Sequence, residues 1–221
     1  MRMRGSSGLR QRYEEEKERD KIVLVDDPDS TEPLDWRELF GNDGSVVVEV
    51  GFGKGRTLIA MAGERPAMNF LGIETSWSYL LLTRERVIKA GLSNVRLLFA
   101  NAAWIFTERI IPGSISECYI LFPDPWPKKR HHKKRIFREA FVTNLARALG
   151  EGGRVHVATD SEAYLEVIRP VLDSSESLHC LEERIIGSDD DEEDDQWSHF
   201  QIKYLRQGRT IHSMVYEKVS S

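Results

Sequence analysis

Asp124 and Trp126 are set among three prolines, Pro123, Pro125 and Pro127, and are followed without a break by Lys128, Lys129, Arg130, His131, His132, Lys133, Lys134 and Arg135. Each proline fixes its own φ and pushes the residue before it away from helix, so the carboxylate and the indole are displayed from a stiff, extended loop. A carboxylate can accept hydrogen bonds from a purine edge, an indole can stack on its face, and the cations that follow can neutralise phosphates. Such a stretch suits the holding of a purine beside a nucleic-acid backbone. Two plainer roles compete: Trp126 packing under its own loop, and the cations forming the solvated start of a helix. Adjacent His131 and His132 lack the spaced partners of a metal site, and no metal is expected.

A second constellation lies upstream, in Glu49-Val50-Gly51-Phe52-Gly53-Lys54-Gly55-Arg56. It follows an apolar run and precedes an amphipathic segment, Thr57 to Ala62, so a ligand can sit against a helix amino end while glycines let the backbone approach it. The next apolar run ends at Glu74, placed for hydrogen bonds to ribose hydroxyls. A dinucleotide fingerprint needs Gly-x-Gly-x-x-Gly, whereas here the third glycine comes one position early and Arg56 occupies its place. Glu49, immediately before the loop, would repel a pyrophosphate. It suits a nucleoside cofactor carrying an ammonium and a sulfonium.

The elements that must position these groups can be traced in the same sequence. Apolar runs at Val46–Val50, Phe70–Ile73, Val95–Phe99, Cys118–Phe122 and Val155–Ala158 alternate with longer helical stretches. That order argues for a mostly parallel sheet with crossover helices. One helix is predicted over Trp77 to Ala90, capped by Ser76 or Thr75 and ended by Gly91, burying Leu80, Leu81, Val87 and Ile88. Another is predicted over about Arg135 to Leu149. Leu178–Ile186 and Thr210–Lys218 read as strands that end the sheet in an antiparallel pair.

Composition fits one globular domain. Residues 1–33 read as a polar arm, and 34–221 as the domain, with an acidic loop at 187–198. The formal charge of −5 follows from the run Asp189 to Asp195; without it the rest would carry +2, so overall acidity does not exclude an RNA partner. Cys118 and Cys180 give neither a disulfide framework nor a zinc spacing, which suits a reducing, cytoplasmic setting. No signal-peptide core and no membrane-length apolar run are found. His156 and His179 read as structural.

Taken together, these motifs resemble the tRNA (guanine-N7-)-methyltransferase family, among class I S-adenosylmethionine-dependent methyltransferases. The EIGFG-type first motif is Glu49–Gly55, the GIE motif is Gly72-Ile73-Glu74, FPDPW with its basic tail is Phe122–Arg135, and the GG…ATD segment is Gly152–Asp160. The similarity extends from about Leu39 to Tyr216. It implies a Rossmann-like α/β fold, a mostly parallel seven-stranded sheet with helices on both faces and an antiparallel C-terminal strand. It further implies methyl transfer from S-adenosylmethionine to guanine N7 in tRNA, with the family's target in the variable region.

By the same resemblance, Glu49, Gly51, Phe52, Gly53, Gly55, Glu74, Asn101 and Ala102 contact the cofactor, and Asp124 is the central catalytic acid. Lys128, Asp160, Trp126, Lys203 and Tyr204 face the substrate, and Arg130, His131, His132, Lys133, Lys134 and Arg135 face RNA. Three departures stand out. Asn101 replaces an aspartate, Ile202 and Leu205 replace the threonine and glutamate of a T-x-F-E-x-R-G segment, and the acidic run sits just upstream of that segment. They leave open an alternative, a non-catalytic or altered-specificity RNA-binding protein that kept the fold. Monomer and homodimer are equally compatible with the sequence.

Overall fold

The computed structural model describes residues 22–27, 29–187 and 208–219. Eight strands form one sheet: β1 Val23–Val25, β2 Val46–Val50, β3 Asn69–Glu74, β4 Val95–Phe99, β5 Ile115–Leu121, β6 Leu149–Thr159, β7 Leu178–Ile186 and β8 Ile211–Lys218, in the order β1-β4-β3-β2-β5-β6-β8-β7. β1 to β6 pair in parallel, and β8 runs antiparallel to both β6 and β7. Helices α1 Trp36–Phe40, α2 Arg56–Glu64, α3 Trp77–Ala90, α4 Ala102–Glu108, α5 Glu139–Ala148 and α6 Glu162–Asp173 cover its two faces.

Alternation along β2 sets the layers. Val46, Val48 and Val50 join a core with Phe106, Phe141, Leu145 and Tyr164 from α4, α5 and α6, whereas Val47 joins Leu58, Met61, Leu80 and Val87 from α2 and α3. Both faces being covered, the central strands are mostly apolar on each face, as parallel strands between helices are. Glu49 shares a face with Val47, a position that the pattern would otherwise fill with a hydrophobe.

α3 begins and ends where its signals lie, with Ser76 at the N-cap and Gly91 at φ +64° closing it. Its buried side differs from expectation: Leu80, Thr83 and Val87 are inside, while Ile88 is 48% exposed. The expected helix over Arg135 to Leu149 starts only at Glu139, and Lys129–Lys134 form a separate 3-10 turn. Phe122 stops β5 at φ +50°. The sheet has eight strands because Val23–Val25, inside the stretch read as a polar arm, pairs with Leu97–Phe99. An ion pair at 2.7 Å between Asp26 and Arg109 ties down the segment that follows. The acidic run and the segment holding Ile202, Lys203, Tyr204 and Leu205 lie outside the described residues.

Candidate active site

β2 and β5 are neighbours in the middle of the sheet, yet the chain leaves them in opposite directions, so their carboxyl ends open a crevice at the topological switch point. Into that crevice project the loop after β2 (Gly51–Gly55), the end of β3 (Glu74), the start of α4 (Asn101 and Ala102), the loop after β5 (Phe122–Lys128) and the end of β6 (Asp160). Residues far apart in the chain are thereby assembled along one edge.

The glycine loop is tied from three sides. The Gly51 amide donates to the Ile73 carbonyl at 2.8 Å, the Gly53 amide to Glu74 Oε2 at 3.0 Å, and the Thr83 hydroxyl to the Gly53 carbonyl at 3.3 Å. Arg86 adds a 2.7 Å hydrogen bond to the Lys54 carbonyl. Glu74 Oε1 in turn accepts from the Thr75 and Ser76 amides at 2.7 and 2.9 Å, which fixes the carboxylate as α3 begins. Phe52 departs from its expected role as a ligand contact. Its ring is buried in the core beside Gly72, so its backbone alone is left for a cofactor.

Glu49 is buried to 4% exposure. The Leu58 amide, in the first turn of α2, approaches the carboxyl and favours its charged form, while among the described residues Oε2 is buried without a partner. Burial, reinforced by the nearby charge of Glu74 and only partly offset by the Leu58 amide, pushes its pKa up to about 8. An unsatisfied carboxylate beside a glycine loop calls for a cationic or hydrogen-bond-donating group. A Cβ added at Gly51 or Gly53, both at positive φ, would meet no atom of the described residues within 4 Å, so they leave the space above the loop open. These features fit a small ligand carrying an ammonium and a ribose. Asn101 caps α4 by accepting the Trp104 amide at 3.2 Å, so asparagine keeps the capping function that aspartate would have.

On the other side of the crevice, Asp124 is exposed, and near enough to Tyr164 on α6 for its charge to be felt there. Trp126 is half-buried at φ +42°, with the Lys134 ammonium 4.3 Å from its ring centroid and His131 edge-on at 5.4 Å. One indole face is therefore covered by a cation rather than bare for stacking. Lys128, Lys129, Arg130, His132, Lys133 and Lys134 are exposed, whereas Arg135 turns inward to the loop. Asp160 is ion-paired with Arg209. His156 stacks on Tyr119 at 4.3 Å away from the crevice, consistent with a structural part; His179 is exposed on β7.

Sequence reasoning missed Thr83, Arg86, Tyr164 and Arg209. Only Thr83 carried a local signal, as the polar member of the buried 80/83/87 stripe of α3. Among the described residues, no cluster of His, Cys, Asp and Glu could hold a metal, and no helix is long and apolar enough to cross a membrane.

A family model described as putative methyltransferase matches residues 43–214. A tRNA (guanine-N(7)-)-methyltransferase of Haemophilus influenzae is 39% identical over 148 residues, covering 67% of this chain and 60% of that protein. The protein of the same name from Geobacillus kaustophilus is 41% identical over 153 residues, covering 67% and 70%. This chain thus spans about 60% of the length of the Haemophilus relative. Among solved structures, the 16S rRNA methyltransferase KamB superposes with a TM-score of 0.61 at 15% identity, covering 84% of this chain and 93% of that one. TrmN from Thermus thermophilus gives 0.58 at 18% identity, covering 83% and 47%. These likenesses show the class I methyltransferase fold.

Proposed function

We propose, for a chain that belongs to the tRNA (guanine-N(7)-)-methyltransferase family, that it methylates guanine N7 in tRNA, with S-adenosylmethionine as methyl donor, in the cytoplasm. One observation carries the reading: Glu49 keeps a buried, unpartnered oxygen beside an open glycine loop, directly across the β2/β5 crevice from the Asp124 loop. When bound, S-adenosylmethionine supplies an electrophilic methyl on a sulfonium. Glu49 would hold its ammonium, the Gly51–Gly55 backbone would bear on its amino-acid portion, and Glu74 would take the ribose hydroxyls.

The remaining chemistry falls to the protein's own groups. Guanine N7 offers a lone pair and bears no proton, so no general base is needed to free it. Positioning is the main requirement, since holding reacting atoms about 3 Å apart and aligned removes much of the entropic barrier. Asp124 serves from the rim of a stiff loop, where its carboxylate accepts hydrogen bonds from the guanine N1 and N2 groups. As positive charge moves onto the purine, that carboxylate favours the transition state electrostatically. Asp160 already neutralises Arg209, so its share in this effect is smaller than its position at the strand end suggested. For Trp126 to stack on the base with the face that Lys134 covers, Lys134 must give it up, which frees that ammonium for a phosphate.

The test incubates the protein with labelled S-adenosylmethionine and unmodified tRNA transcripts, followed by nucleoside mass spectrometry against methylguanosine standards. 7-Methylguanosine is expected, and Asp124→Ala should lose most of it while keeping cofactor affinity. A different methylated nucleoside would overturn the base-pocket assignment. Cofactor binding without any product would overturn the tRNA reaction.

A further inference from the structure

Arg135 closes the cationic run, yet its surroundings differ from those of the run's exposed members. Its Nε donates to the Pro125 carbonyl at 2.7 Å, and a terminal nitrogen lies 3.5 Å from the Trp126 carbonyl, at the limit of a hydrogen bond. The face of the guanidinium lies on Tyr164, with Cζ 5.1 Å from the ring centroid. Tyr164 is fully buried and packs against Phe137, so the platform beneath the guanidinium belongs to the core.

The two carbonyls that Arg135 reaches belong to the peptide planes on either side of the Trp126 Cα. The angle between those planes is set by φ and ψ of Trp126, and its φ of +42° is a left-handed conformation that a bulky side chain rarely adopts. Such a conformation persists only where the surroundings over-determine it. A planar fork that engages both carbonyls while stacking on an aromatic does so in a way a point charge cannot. From the pinned carbonyl to Asp124 the chain passes only through Pro125, whose φ its ring fixes.

We propose that Arg135 is a positioning residue for Asp124: its guanidinium locks the Pro125 and Trp126 carbonyls over Tyr164 and so fixes where the carboxylate points, and it is not one of the phosphate contacts. This rests on the methyltransferase reading above. The phosphate surface is then made by Lys128, Lys129, Arg130 and Lys133.

The test compares wild type, Arg135→Lys, Arg135→Met and Lys133→Met in single-turnover methylation at saturating tRNA, with tRNA affinity measured across salt concentrations and cofactor affinity as a check on folding. Arg135→Lys keeps the charge and loses the fork, so the rate should fall about tenfold or more. tRNA affinity and its salt slope should stay as in wild type for both Arg135 variants. Lys133→Met should instead weaken tRNA binding and lower the slope by about one. Wild-type rate in Arg135→Lys, or a slope reduced by about one in Arg135→Met, would overturn the positioning role while leaving the reaction intact. If Arg135→Met no longer binds cofactor, Arg135→Lys decides alone. Absence of 7-methylguanosine with wild type overturns the underlying reading, and the positioning role with it.

Discussion

Glu49 makes cofactor binding a proton-linked event whose size can be worked out. With its pKa up to about 8 in the free protein, the carboxyl is about 0.9 protonated at pH 7. Seating an ammonium at the unpartnered Oε2 requires the charged form, so binding should expel about 0.9 proton per cofactor at pH 7. Between pH 6 and 7, where a ligand α-amine stays protonated, affinity should rise nearly tenfold per pH unit. Folding is linked to the same proton. Because the folded pKa lies above the unfolded value of about 4.5, Glu49 leaves stability intact below that value. The stability is then lost as pH rises through 8, by about 3 kcal/mol at pH 7. Glu49→Gln should remove both dependences. The assay is calorimetric titration with S-adenosylhomocysteine at pH 6 and 7 in buffers of different ionisation enthalpy. Proton release near zero for wild type, or equal release in Glu49→Gln, would refute the assignment of the ammonium to this carboxylate.

Three further outcomes are expected. Gly55→Ala would place a Cβ 2.1 Å from Thr83 Cγ2 at φ +66°, and should cost about 3 kcal/mol in urea unfolding. Gly51→Ala, which meets nothing within 4 Å, should cost only about 1 kcal/mol but weaken cofactor binding; equal destabilisation by both would contradict the loop geometry. His156 is held neutral, its pKa pushed down by burial to about 4, below the unfolded value, so its contribution is complete above pH 6.5 and lost as pH falls through 4. His156→Phe, which keeps a ring against Tyr119, should flatten the acid limb of stability by about 3 kcal/mol; parallel curves for variant and wild type would rule this out. tRNA affinity should fall with added salt, and Lys129→Ala should lower the slope by about one, whereas an unchanged slope would remove Lys129 from the phosphate surface.

Groups whose residue type declares a backbone need were legible in the sequence, while those defined by a partner were not. Gly91 ends α3 where a left-handed residue was needed, and the apolar runs of β2, β3 and β4 could belong only to strands buried on both faces. β1 escaped notice because its three residues gain strand character only by pairing with β4, far along the chain. The helix expected from Arg135 onward is broken because Arg135 is drawn back to Pro125, and a run of like charges gains nothing from continuing as helix. The side chains that hold the site are ordinary types at ordinary helical positions, and their roles arise from contacts across long separations, such as Thr83 with Gly53 and Arg209 with Asp160. Glu49 lies between these cases. Its parity with Val47 on an otherwise apolar strand already requires that it be buried, and a buried carboxylate must be neutral or find a cation. The structure adds that the amino end of α2 approaches this carboxyl, while its Oε2 is met by nothing in the described chain. What the second oxygen lacks is therefore the most direct description of the ligand this protein binds.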